Sequence, residues 1–179
     1  SYAQVGRALG ARVVGTSRHE SRRDAVMGAG AESFVATAGL AGDALRDRLL
    51  EATGGADLVL DTVGGALALA ALRCLRFEGR LVVIGFTAGD APAFRANHLL
   101  VKNVDIVGCY WGPYQTRRPD ETRRAFETLA DWYARQLIHP AVAAGVALAE
   151  VPHALEALAR GEYAGKVVAC IQTSFGGTQ

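Results

Sequence analysis

This sequence has no surplus of either charge: 19 basic and 18 acidic side chains in 179 residues leave a formal net charge of +1. Without a net field there is no electrostatic footprint for nucleic acid or for an anionic membrane surface. Its apolar runs are short, and none approaches the roughly 20 residues that a membrane-spanning helix needs. The first residues show no charged stretch followed by an apolar one, the pattern of a secretory leader. Cysteine is scarce. Cys74, Cys109 and Cys170 are odd in number and far apart, so neither a disulfide framework nor a Cys-rich zinc lobe is expected, and a reducing cytoplasm is the expected setting. His19, His98, His139 and His153 lack ligand spacing, and no metal site is expected.

What the chain does have is the profile of a soluble globular domain, with 50% hydrophobic and 21% charged residues. Ala3 to Leu9 reads as the last turns of a helix capped by Gly10, so the chain is expected to open inside an element, at Ser1 rather than Met. Strand and helix then alternate. "ARVVGTS" and "ESFVAT" read as strands, separated by the helix "ESRRDAVMGAGA". "GDALRDRLLEATGG" is a helix and "DLVLD" the third strand. "GALALAALRCLRFEG" continues as a helix through Leu67, Ala71, Cys74 and Leu75, ahead of the strands "RLVVIGF" and "VDIVGCYWG". "PDETRRAFETLADWYARQL" is strongly amphipathic, with Phe126, Leu129, Trp132 and Tyr133 on its core-facing stripe. A strand "AVAAGVAL", a helix "VPHALEALARGE" and a strand "KVVACI" follow. Continuous apolar strands alternating with helices predict an α/β fold, a doubly wound parallel sheet with helices on both faces.

In such sheets ligands sit outside the carboxyl ends of the strands. Three ends here, "VVGTSR", "LDTVGG" and "VIGFTAG", pass from apolar residues into glycine, small hydroxyl or charged residues. Glycine lets a ligand approach the backbone and hydroxyls can bond it, although turns use the same residues. At the first of these ends the chain reads Thr16, Ser17, Arg18 and, further on, Arg22, with no acid at the tip. Guanidinium and hydroxyl groups suit a 2′-phosphate, whereas an acid would suit a free ribose hydroxyl, so NADP(H) is the expected cofactor. Arg22 and Arg23 also read as a solvated first helical turn, an unfavourable place for positive charge. The phosphate-binding turn G-x-G-x-x-G is absent; its place would be before Ser1.

"ALGARVVGTSR", "GADLVLDTVGG", "LRFEGRLVVIGF", "HLLVKNVDIVGCYWGPY" and "GKVV" resemble, in order and spacing, the carboxyl-terminal portion of a zinc-independent medium-chain dehydrogenase/reductase of the NADPH:quinone oxidoreductase-like branch. The resemblance implies a Rossmann-like cofactor domain over residues 1–136, incomplete at its start, and a segment 137–179 that returns to a GroES-like catalytic domain. It also implies that Ser17, Arg18 and Arg22 lie by the adenosine 2′-phosphate, and that Thr62 and Val63 line the cofactor cleft. Ile84, Gly85, Phe86 and Thr87 would sit beside the nicotinamide ribose, Cys109, Tyr110 and Trp111 would approach the nicotinamide pocket, and Lys166 would reach the cofactor or a backbone carbonyl. Where the family often has Asn-Tyr near the adenine, this chain has Ala36 and Thr37.

The activity implied is hydride transfer from NADPH to a quinone or other α,β-unsaturated carbonyl in the full-length protein, the present chain alone being inactive. Such chemistry is the cofactor's and needs no protein triad; no catalytic residue is assigned. Tyr110 and Trp111 read equally as an acceptor wall and as ordinary aromatic packing, and Cys109 as a buried small hydrophobe. An enoyl reductase domain of a polyketide or fatty-acid synthase, and a non-catalytic nucleotide- or partner-binding module, are the alternatives. The apolar strand Val104 to Tyr110 is expected at a sheet edge, where pairing with a second copy would make a homodimer.

Overall fold

The computed structural model describes residues 2–171. Strand and helix alternate as the apolar pattern requires. The order is α1 (Tyr2–Ala8), β1 (Val14–Ser17), α2 (Arg23–Gly28), β2 (Ser33–Ala36), α3 (Gly42–Thr53), β3 (Ala56–Asp61), α4 (Gly65–Arg73) and β4 (Leu75–Val83). Then come α5 (Ala96–Leu100), β5 (Asp105–Gly108), α6 (Tyr114–Arg117), α7 (Pro119–Ala134), β6 (Val142–Ala147), α8 (Val151–Ala159) and β7 (Lys166–Cys170). Helix ends follow local chemistry. Gly54 closes α3 in the left-handed region at φ 64, its N–H bonded to the Leu50 carbonyl, and Pro119 with Asp120 and Glu121 forms the first turn of α7.

Every described strand pairing is parallel. β1 pairs with β2, β4 lies between β3 and β5, and β6 pairs with β7. Among the described residues β1 and β3 are therefore each paired on one side only. A layer of α3 and α4 joins the first two sheets. Val35 of β2 packs with Leu45 and Leu49 of α3 and with Ala70 and Cys74 at α4, while Leu72 of the same helix packs on Leu75, Leu81 and Val104. Lys102 closes the carboxyl end of α4, its Nζ donating to the carbonyls of Arg73 and Leu75 at 2.8 Å each.

The structure departs from the sequence expectation at several points. Leu75 does not continue α4; it starts β4 opposite Ala56, and the Ala56 N–H donates to the Cys74 carbonyl at 3.0 Å. A bulge follows, with Glu78 at φ 59 and Gly79 buried where a Cβ would lie 3.1 Å from the Ala56 carbonyl oxygen. β4 ends at Val83, and β5 is confined to Asp105–Gly108 at the expected edge. The β1–β2 pair carries α2 on one face and α3 on the other, but in the three-stranded sheet one face is largely bare among the described residues. Register aligns Val59, Leu81 and Ile106 on the face under α4, and Leu60, Val82 and Val107 on the opposite face, where Leu60 and Val107 are exposed. Phe126, Leu129 and Tyr133 on α7 are likewise exposed, with Trp132 half-buried, so the expected core stripe of this helix is largely bare of described neighbours. Residues 172–179 of the expected return segment lie outside the described residues.

Candidate functional site

The third strand stops on an acid for a local reason. Asp61 is buried, 4% exposed, and its Oδ1 accepts hydrogen bonds from the N–H groups of Val63 and Gly64, both at 3.0 Å. A side-chain acceptor of this kind bends the chain into a turn two or three residues long. Gly64 is held at φ 78, and a Cβ there would lie 2.6 Å from the Asp90 carbonyl oxygen, so no other residue fits without moving the backbone. Gly65 then starts α4.

That turn is zipped to the loop after β4. The N–H groups of Ile84, Thr87 and Ala88 donate to the carbonyls of Asp61, Thr62 and Val63 at 2.7, 3.0 and 3.0 Å. From the other side Gly65 donates to Asp90 at 3.0 Å, and Cys109 donates to Val83 at 2.8 Å. The carboxyl ends of β3, β4 and β5 thus form one continuous rim. Thr62, Val63, Ile84 and Gly85 are half-buried in it, whereas Phe86 and Thr87 are exposed. Cys109 is half-buried rather than buried. Tyr110 is exposed, and Trp111 stacks on Tyr114 at the start of α6 with ring centroids 5.5 Å apart at 15°, an aromatic packing between close neighbours in sequence.

A second group stands at the end of β1. Thr16 is exposed and Ser17 half-buried; the Ser17 carbonyl accepts from Thr37 at 2.8 Å and its Oγ accepts from the His19 N–H at 3.3 Å. Arg18 is exposed and makes no side-chain hydrogen bond or ion pair among the described residues. The Arg22 guanidinium donates to the Gly161 carbonyl, tying the start of α2 to the turn after α8. Arg23 pairs with Glu20 and lies 5.0 Å over the Phe34 ring, a packing role. Lys166 is exposed at the start of β7, in the third sheet.

The sequence reading marked Asp61 as the strand end but gave a site role only to Thr62 and Val63, whose backbone Asp61 sets. Its signal was legible: an acid at a strand end followed three residues later by paired glycines. Elsewhere, the Cys74 thiol is pushed up by burial and hydrogen-bonds the carbonyls of Arg46 and Ala70 at 3.3 Å each, an inert packing role. Among the described residues no group of three or more His, Cys, Asp or Glu is placed to hold a metal ion, and no helix is long and apolar enough to cross a membrane.

Parallel strands with glycine-bearing loops joined at their carboxyl ends define a Rossmann-like α/β unit. The chain belongs to the family described as zinc-binding dehydrogenase, whose model matches residues 2–133. Its relatives place it as the carboxyl-terminal portion of a quinone oxidoreductase-like medium-chain dehydrogenase/reductase. It is 32% identical over 163 residues to the quinone oxidoreductase-like protein 2 homolog of Nematostella vectensis, covering 89% of this chain and 44% of that protein. Among solved structures it resembles the Thermus thermophilus quinone oxidoreductase, determined also with NADPH, at 28% identity and a TM-score of 0.78 over 94% of this chain and 52% of that one. A mycobacterial protein complexed with NADPH gives a TM-score of 0.82 at 25% identity, with 94% and 52% covered. The chain spans about half the length of these relatives.

Proposed function

We propose that the protein carrying this chain is an NADPH-dependent oxidoreductase that delivers hydride to a quinone or other α,β-unsaturated carbonyl, this chain being its cofactor-binding portion. The observation that carries the reading is the joined rim at the ends of β3, β4 and β5. It lies where open α/β sheets bind dinucleotides, in a chain whose relatives include quinone oxidoreductases solved with NADPH. When bound, the cofactor supplies the hydride; the protein supplies binding and orientation.

The donor set fits a phosphorylated ribose. Thr16 and Ser17 offer hydroxyls, Arg18 offers a guanidinium that no described side chain engages, and Arg22 stands at the start of the next helix. No acid occupies the tip of β1, where a carboxylate would bond a 2′-hydroxyl and repel a phosphate. Thr62, Val63 and Ile84 to Thr87 are assigned to the opposite wall, and the backbone hydrogen bonds of the rim support that assignment. Cys109, Tyr110 and Trp111 extend it toward the acceptor side, and Lys166 is assigned to the same cleft in the full-length protein. The parallel pair β6 and β7, apart from the other sheets, supports assigning 137–179 to a second domain. β5, paired on one side only among the described residues, supports a homodimer.

The test is a comparison of NADPH and NADH affinity in the full-length protein, with Arg18→Glu and Arg22→Glu. A tenfold or greater preference for NADPH is expected, falling to parity or reversing in the double variant. An unchanged preference would remove the phosphate-site assignment; NADPH oxidation that does not respond to any quinone or enone would remove the acceptor class.

A further inference from the structure

The turn at the end of β3 carries a group that the cofactor reading does not use. Asp61 is almost fully buried, and only one of its oxygens is occupied: Oδ1 holds the N–H groups of Val63 and Gly64, while Oδ2 is buried with no hydrogen-bond partner among the described residues. Oδ2 is out of solvent, so a ligand lying on the rim does not reach it. The consequence of the Oδ1 bonds extends beyond their own residues. Orienting the Val63 and Gly64 N–H groups inward turns the carbonyls of Thr62 and Val63 outward, where they receive the N–H groups of Thr87 and Ala88 at 3.0 Å each. The carboxylate thereby controls two strand-end loops, only one of which it touches.

We propose that Asp61 is a positioning residue for the cofactor-facing rim: through Oδ1 it fixes the Thr62 to Gly64 turn, and through that turn it sets the position of the loop from Ile84 to Asp90. The part concerning the cofactor rests on the reading proposed above; the part concerning the two loops does not.

The experiment uses the full-length protein with Asp61→Ala, Asp61→Asn, Asp61→Leu and Gly64→Ala, and reads amide hydrogen exchange together with NADPH affinity. Asp61→Ala is expected to raise exchange at Val63 and Gly64 and, in the same variant, at Thr87 and Ala88, and to weaken NADPH binding at least tenfold. Asn keeps one acceptor oxygen, so Asp61→Asn is expected to restore protection at all four amides and to bind NADPH within about threefold of the parent protein. Asp61→Leu, which fills the space without an acceptor oxygen, should fail to restore protection, whereas a residue that merely filled space would be rescued by either side chain. Gly64→Ala, whose Cβ would meet the Asp90 carbonyl at 2.6 Å, attacks the same junction without touching the carboxylate. It should reproduce the exchange pattern at Thr87 and Ala88 and keeps the idea testable if Asp61→Ala does not fold. Faster exchange confined to Val63 and Gly64 would overturn control of the second loop. Faster exchange at all four amides with NADPH affinity unchanged would overturn the role toward the cofactor. A parent protein that binds no NADPH would remove the cofactor reading, while the exchange pattern would still decide the loop coupling.

Discussion

On one face of the central three-stranded sheet Leu81 is fully buried under α4, in a row with Val59 and Ile106; on the other, Leu58 is 55% exposed, Leu60 44% and Val107 42%. Both faces carry the same residue types, in strands of the same register. The difference lies in what each helix finds opposite it. α4 is apolar around most of its surface and is pinned at both ends, by the Gly64–Gly65 turn and by Lys102, so it settles on both sheets at once. The apolar stripe of α7 has Phe126 and Tyr133 turned to solvent. An exposed apolar row of this size beside a strand edge marks a surface for a further packing element. Apolar pattern alone therefore does not make a core; it needs an opposing surface held in reach.

The widest separation between the faces should come from two leucines in neighbouring strands. Leu81→Ala is expected to cost about 2–5 kcal/mol, as a buried side chain leaving a cavity, whereas Leu60→Ala should change stability by no more than about 1 kcal/mol. Urea unfolding of the two variants checks this, and equal costs would mean that the bare face is covered in solution. A smaller effect tests the pinning of α4. Lys102→Met keeps the aliphatic stem and removes the two carbonyl bonds; the loss expected is about 1.5–3 kcal/mol, read from the same unfolding curves.

The smallest effect concerns the exposed seam between α3 and α4. The hydrogen bond from Arg73, with the charge of Arg46 beside it, holds the Asp43 carboxyl below the usual carboxylate range. A group depressed on folding contributes stability above its unfolded value, near pH 4, and loses that contribution as the pH falls through the lower folded value. The difference in urea midpoint between the parent protein and Arg73→Gln should therefore be present at pH 7 and shrink toward zero as the solution is acidified. A difference that persists at pH 2 would assign the effect to packing of the Arg73 stem.

Much of this was legible in the residues. Runs such as Leu58 to Leu60 and Leu81 to Val83, spaced by helical patterns, announced parallel strands, and all the described pairings are parallel. Glycines at Gly10 and Gly54 marked helix ends correctly, both at positive φ. Leu75 was misread because it continues the apolar spacing of Leu67 and Ala71; only its pairing with Ala56, distant in sequence, makes it a strand residue. The apolar run through Ile84 to Phe86 looked like more of β4, but the ladder ends where the Ile84 N–H meets the Asp61 carbonyl, and beyond it the chain turns so that the Thr87 N–H bonds to Thr62. At the candidate site, Thr62, Val63 and Ile84 to Thr87 were placed in one cleft from the residues and the family likeness. The rim that joins them emerged only with the fold, since backbone hydrogen bonds between loops leave no trace in side-chain pattern.

By itself the sequence determined the class of fold, through apolar runs whose lengths and spacing suit buried parallel strands, and the character of the β1 tip, where arginine stands in place of an acid. Tertiary structure decided the rest: which face of the sheet is covered, and how a single buried carboxylate at Asp61 joins two loops. The physical reason is range. Periodicity and turn chemistry act over a few residues and can be read along the chain, whereas cover and loop-to-loop hydrogen bonding depend on surfaces that meet only after the chain has folded.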